Sequence, residues 1–220
     1  MGKVHDVLDD RLREFISQQP VYFVATAPEH GGHVNMSPKG HSDTFAVLDD
    51  TTVAYLDLGG SGVETIAHIR ENGRVTIMFT AFSGPPNILR LYGRGRVVTA
   101  GDPDFPGLLQ RFGPHPAVRA VIVVECDRIA DSCGYGVPLM SHEKDRTLLA
   151  EWAERRSEQQ RIDYRAKKNR QSIDGLPGLT IEETTLEAGA ADAPDLAPEE
   201  PGTTGTAPKT EEAAPEFELS

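Results

Sequence analysis

Residues 53–82 read VAYLDLGGSGVETIAHIRENGRVTIMFTAF. Three local signals in this stretch set the architecture. Thr52–Leu58 is rich in β-branched and large apolar residues and reads as a strand. Gly62–Asn72 reads as a helix: Ser61 stands as its N-cap, Glu64 follows in the capping-box position, and Gly73 lies just past its end. Arg74–Phe82 then alternates as a second strand.

The same reading extends outward. Towards the N-terminus, Phe45–Leu48 forms a hairpin with Thr52–Leu58 through Asp49 and Asp50. Val21–Ala27 is a strand, Glu29–His33 a turn with Gly31 and Gly32 at its tip, and His33–Ser37 the returning strand. Asp6–Gln18 places Val7, Leu8, Leu12, Phe15 and Ile16 at helical spacing and stops before Pro20. Towards the C-terminus come a strand over Ile88–Thr99, bent at Gly93 and Gly95, a helix over Asp102–Phe112, a strand over Ala120–Asp127 and a long polar helix over Asp145–Asn169. Six or seven strands with few helices between them lack the regular alternation of a doubly wound fold. The expected fold is mainly β, an antiparallel barrel with peripheral helices.

Charge divides the chain in two. Of the formal net charge of −12 on 220 residues, −10 falls on residues 182–220, which hold 11 acids against Lys209 alone. Residues 1–181 hold 23 acids and 21 bases and carry −2. Residues 1–181 are therefore read as the folded domain, and 182–220, rich in Ala, Pro, Glu and Thr, as a disordered acidic tail. A near-neutral body offers no basic field for nucleic acid. No apolar run reaches membrane-spanning length and the N-terminus has no signal core, so a cytoplasmic protein is expected. Cys126 and Cys133 make neither a disulfide framework nor a zinc site, and no metal site is expected. Cys126, in VIVVECD, reads as core, and Cys133, in SCGYG, as an accessible loop thiol.

Chemistry gathers in Val34–Gly40, VNMSPKG. A strand end here supplies a hydroxyl (Ser37), a cation (Lys39) and a permissive glycine, while Pro38 keeps Ser37 extended. That set suits an anion, although on composition alone a surface turn with an exposed lysine is the stronger reading. Gly59-Gly60-Ser61 opens a helix, whose free N–H groups favour anions, but the spacing fits neither a P-loop nor a dinucleotide fingerprint. His30 and His33 read as solvated turn residues, the run from Arg165 to Arg170 as a solvated helix face, and Leu148 and Trp152 as packing of the last helix.

Taken in order, VNMSPKG, the 53–82 stretch, ILRLYGRGRVV and SCGYGVP resemble the FMN-binding split-barrel proteins typified by pyridoxamine 5′-phosphate oxidase, and most of all a branch with an N-x-S-P-K strand end. The resemblance spans about residues 5–180. It implies a split β-barrel homodimer with two FMN sites between the subunits, acting as an oxidoreductase on a small-molecule substrate. Asn35, Met36, Ser37, Pro38 and Lys39 would line the flavin ring and ribityl-phosphate, Ser61 and Thr65 would lie near the phosphate, and Arg90 would approach the cofactor. The chain departs from the oxidase at the helix start. There the oxidase has an Arg-Lys pair for the phosphate, and this chain has Glu64 and Thr65, leaving positive charge to Lys39 and to Arg90 or Arg94. The alternatives are an F420-binding reductase of the same fold and a non-catalytic flavin-binding or storage protein. No residue is singled out as catalytic.

Overall fold

The computed structural model describes residues 2–186; the rest of the acidic segment, for which disorder was expected, lies outside the described residues. Among the described residues, eight strands form one antiparallel sheet: β1 (Lys3–His5), β2 (Val21–Thr26), β3 (Asn35–Gly40), β4 (Phe45–Val47), β5 (Thr52–Leu58), β6 (Arg74–Thr80), β7 (Ile88–Val98) and β8 (Val118–Ser132). Their order is β3-β2-β6-β7-β8-β5-β4, with β1 added to β8.

The two ends of that order meet in space. Tyr22 on β2 packs edge-on against Phe45 on β4 with ring centroids 5.1 Å apart, and Lys39 on β3 reaches Asp57 on β5 at 3.2 Å. The sheet therefore curls round on itself, but no ladder joins β3 to β4, so the barrel is split. Inside it lie Val24, Tyr55, Ile77, Phe79, Leu89, Leu91 and Ile122. Leu12 and Ile16 of α1 (Asp10–Ser17) and Ile66 and Ile69 of α2 (Glu64–Asn72) pack with them. A second cluster, Ala54, Leu56, Val98, Val121 and Val123, packs with Phe105 of α3 (Phe105–Leu109) on the outer face. Both faces of β8 are thus covered, which is why Ala120–Val124 is apolar without alternation.

Local chemistry explains the details. The ladder between β7 and β8 shifts register at Tyr92/Gly93, where a Cβ would collide with the Glu125 carbonyl oxygen, so only glycine fits. Pro38 is tolerated in β3 because, among the described residues, β3 is an edge strand paired only with β2. Gly31 and Gly32 both take positive φ in the β2–β3 connection, and Gly73 closes α2 in the left-handed conformation.

Several expected boundaries are corrected. The first helix starts at Asp10, because the Asp9 carboxylate caps it by accepting the Leu12 N–H at 2.9 Å; Leu8 is buried ahead of it. Ser61 does not cap α2: Val63 occupies the cap position without a side-chain bond, and Glu64 instead accepts the Ile173 N–H at 3.2 Å. The expected long C-terminal helix is two helices, α4 (Leu148–Glu154) and α5 (Glu158–Lys168), parted where Ser157 and Gln160 form a capping box. The returning strand runs 35–40 instead of 33–37, and β8 extends to Ser132. β1 and α6 (Ile181–Thr185) have no counterpart in the sequence reading, and α6 carries the packed chain past residue 181, with Thr184 buried.

Candidate functional site

The period of two along β3 sorts its side chains. Met36 and Pro38 face solvent, while Asn35, Ser37 and Lys39 turn towards the rest of the molecule. Two polar clusters follow from that alternation.

In the first, Ser37 Oγ donates to Asn35 Oδ1 at 2.9 Å, and Asn35 Nδ2 donates to Thr26 Oγ1 at 3.1 Å and Thr65 Oγ1 at 3.0 Å. Thr26 Oγ1 also bonds His68 Nδ1 at 2.9 Å. Thr26, Thr65 and His68 are buried, and His68 Nε2 finds no partner among the described residues. Burial pulls the His68 pKa down, outweighing the opposite pull of Glu64, Asp174 and Glu71, so the ring is neutral near pH 7.

In the second, Asp57 is 0% exposed and is held by Arg119 Nε at 2.6 Å and Lys39 Nζ at 3.2 Å. Burial alone would raise the Asp57 carboxyl, but Arg119 and Lys39 overcome it and hold it below the ordinary carboxylate value. Arg119 also donates to the Gly62 carbonyl at 2.8 Å and so ties the Gly59–Gly62 loop to this ion cluster. Two cations on one carboxylate leave a net positive centre at the rim of the barrel.

Beside that rim opens a cleft of about 1790 Å³. Its walls are the start of β2, the β3 end from Pro38 to His41, the β5 end with Gly59–Ser61, the segment around residues 140–146, and α4. Leu56, Leu58, Phe23 and Trp152 make it apolar in part. Its ionic groups are Lys39, Lys144, Arg146, Arg155 and Arg156 against Asp145 and Glu151, so an acidic chain has a positively charged cleft. At its edge His41 takes φ of 69°, the only non-glycine residue among those described with positive φ. Thr44 Oγ1, at 2.8 Å from both the Gly40 and His41 carbonyls, holds that turn.

The structure thus divides the residues singled out in the sequence. Pro38, Lys39 and Ser61 line the cleft; Asn35, Ser37 and Thr65 form the hydrogen-bonded cluster; Met36 is exposed. Arg90, on β7, donates to Ser132 Oγ at 3.1 Å and lies outside the cleft. Asp57 and Arg119 went unnoticed, although an acid within the apolar run VAYLDL was a readable sign of a buried charge. The sequence pattern carries no sign of His41 or Arg156 at this cleft, and helical spacing gives Trp152 only a packing role.

An antiparallel split barrel with a polar strand end beside a charged cleft defines the class of protein. The pyridoxamine 5′-phosphate oxidase family model matches residues 8–133, and the chain belongs to that family. It is 41% identical over 191 residues to the pyridoxamine 5′-phosphate oxidase family protein ustO of Aspergillus flavus, covering 80% of this chain and 77% of that one. Among solved structures it is similar to HupZ of Group A Streptococcus, with 23% identity, 55% of this chain and 90% of that chain covered, and a TM-score of 0.44. It is similar also to an FAD binding protein of Mycobacterium smegmatis, with 15% identity, 57% and 95% covered, and a TM-score of 0.41. No helix among the described residues is long and apolar enough to cross a membrane.

Proposed function

We propose that the chain is an FMN-dependent oxidoreductase acting on a small-molecule substrate, working in the cytoplasm as a homodimer with its flavin sites between the subunits. The observation that carries this reading is the cleft of about 1790 Å³ beside the β3 end, part apolar and net positive. A site for one drug-sized ligand occupies roughly 300–1,000 Å³, so a flavin and a second molecule both have room. The donor set fits FMN: leucine and aromatic walls for a planar ring, the Ser61 hydroxyl, and cations for a phosphate.

In this reading the β3 residues Asn35 to Lys39 run along the ring and ribityl chain, and Ser61 and Thr65 stand towards the phosphate. The Lys39 ammonium gives one N–H to Asp57 and keeps its other donors for the ring edge. The flavin supplies hydride or electron transfer, and the chain binds and orients it. The neutral His68 and its threonine partner fix Asn35, and Asp57 fixes Lys39.

The test is the absorption spectrum of the purified protein, identification of the released chromophore, and anaerobic addition of NADH or NADPH. FMN that is bleached by either nucleotide supports the proposal. Tighter binding of F420 than of FMN makes the protein a deazaflavin reductase, and bound FMN that no nucleotide reduces makes it a carrier; either outcome overturns the reading.

A further inference from the structure

The cations nearest the β3 end and the α2 start are already committed. Lys39 and Arg119 share Asp57, and Arg119 spends a further N–H on the Gly62 carbonyl. The positive end of α2 is occupied as well: its first residue is the acid Glu64, which accepts the Ile173 N–H at 3.2 Å, and Asn169 Nδ2 donates to the Gly60 carbonyl at 2.9 Å. A segment from Asn169 to Leu179 therefore straps this loop, and the carboxylate at the helix start opposes an incoming phosphate.

The facing wall is different. Arg156, just beyond α4, lines the same cleft as Gly59–Ser61, and its guanidinium carbon lies 4.1 Å from the Trp152 ring centroid. One of its nitrogens donates to the Trp152 carbonyl at 3.0 Å, and it makes no ion pair among the described residues. Trp152 is held in turn by Tyr164, edge-on at 4.8 Å, and shares a small crevice with Gly59. Arg155, by contrast, is paired with Glu151 at 3.0 Å and its side chain is largely exposed. An arginine stacked on an indole has its fork pre-ordered, so less entropy is lost when it grips an anion.

We propose that Arg156, stacked on Trp152, is the anchor for the cofactor's phosphate in the half of the cleft walled by Gly59–Ser61. This rests on the FMN reading. It places selection for a phosphorylated flavin just beyond α4, outside the residues 8–133 that the family model matches.

The full chain, stripped of flavin, is titrated with FMN and with riboflavin, as wild type, R156M, R156K and R96M. R156M weakens FMN roughly 10- to 150-fold, the range of one charge-assisted hydrogen bond, and leaves riboflavin within about twofold. Retained riboflavin affinity shows that the variant is folded. R156K recovers part of the loss, and R96M, which breaks the exposed Arg96–Asp104 pair outside the cleft, shifts neither ligand by more than about twofold. Equal losses for both flavins, or none for either, remove Arg156 from the phosphate while leaving the FMN reading intact. A wild-type protein that binds neither flavin overturns the FMN reading and this assignment together.

Discussion

Lys39 Nζ and Asp57 Oδ1 meet at 3.2 Å between β3, at one end of the sheet order, and β5, next to the other end. One ion pair therefore does two things: it bridges the open side of the barrel, and it fixes the cation at the end of the β3 segment that borders the cleft. Arg119, on the Asp57 carboxylate at 2.6 Å, adds the loop that follows β5 to the same cluster.

Asp57→Asn leaves two cations facing a neutral amide in a buried position. Breaking one side of a buried ion cluster costs about 3–5 kcal/mol. For a chain of this size that lowers Tm by roughly 6–20 °C. Thermal unfolding of the flavin-free protein checks it, and an unchanged Tm would mean that the cluster adds nothing to stability.

Stability should fall with acid in two stages. His68 has a lowered pKa in the folded protein, so the unfolded chain takes up a proton that the native ring refuses. Stability is then full above the unfolded value of about 6.5 and declines as pH falls below it, by at most about 1.4 kcal/mol per pH unit for one proton. The carboxyls of Asp57, Asp131 and Glu183 are likewise lowered, through their cationic and hydrogen-bonding partners. Their contribution is present above about 4 and is lost as pH falls through their native values. His115, lowered by its own burial, adds to the upper stage. Urea unfolding from pH 8 to pH 3 measures both stages, and His68→Asn should shrink the upper one and leave the lower one unchanged.

Lys39→Met should weaken FMN and riboflavin by the same factor, on the order of tenfold, because the proposed contact is to the ring they share. The bound flavin's midpoint potential should fall too, since a cation near the ring favours the reduced anion. A loss confined to FMN would move Lys39 to the phosphate and displace Arg156 from that role.

The two cysteines should react unequally. Burial pushes the Cys126 thiol up to about 12, while Cys133 is exposed. Native protein at pH 8 should take one alkyl group, at Cys133, by intact mass and peptide mapping; modification of both would show that β8 opens on the labelling timescale.

The strands were legible wherever their pattern was local. VYFVAT, TVAYLDL and RVTIMFT carry β-branched and aromatic residues, and Gly93 marked the bulge that its contact with Glu125 requires. The SPKG segment stood out because a hydroxyl, a cation and a glycine fall within four residues at a strand end. What escaped depends on contacts distant in sequence. Asp57 and Arg119 are 62 residues apart, and nothing near either one announces the other. The break between α4 and α5 was hidden because helix-forming side chains flank Ser157 on both sides, and only its capping geometry separates them. Trp152 was seen as an apolar anchor at helical spacing, and that spacing carries no information about Arg156 lying over its ring or Gly59 lying beside it.

Trp152 is the only tryptophan in the chain and it lines the cleft, so its fluorescence reports directly on what enters there. Titration of flavin-free protein with FMN should quench that emission saturably, ending at one FMN per chain. Emission that is unchanged while FMN binds, or that responds to F420 and not to FMN, would contradict the assignment of this cleft to FMN.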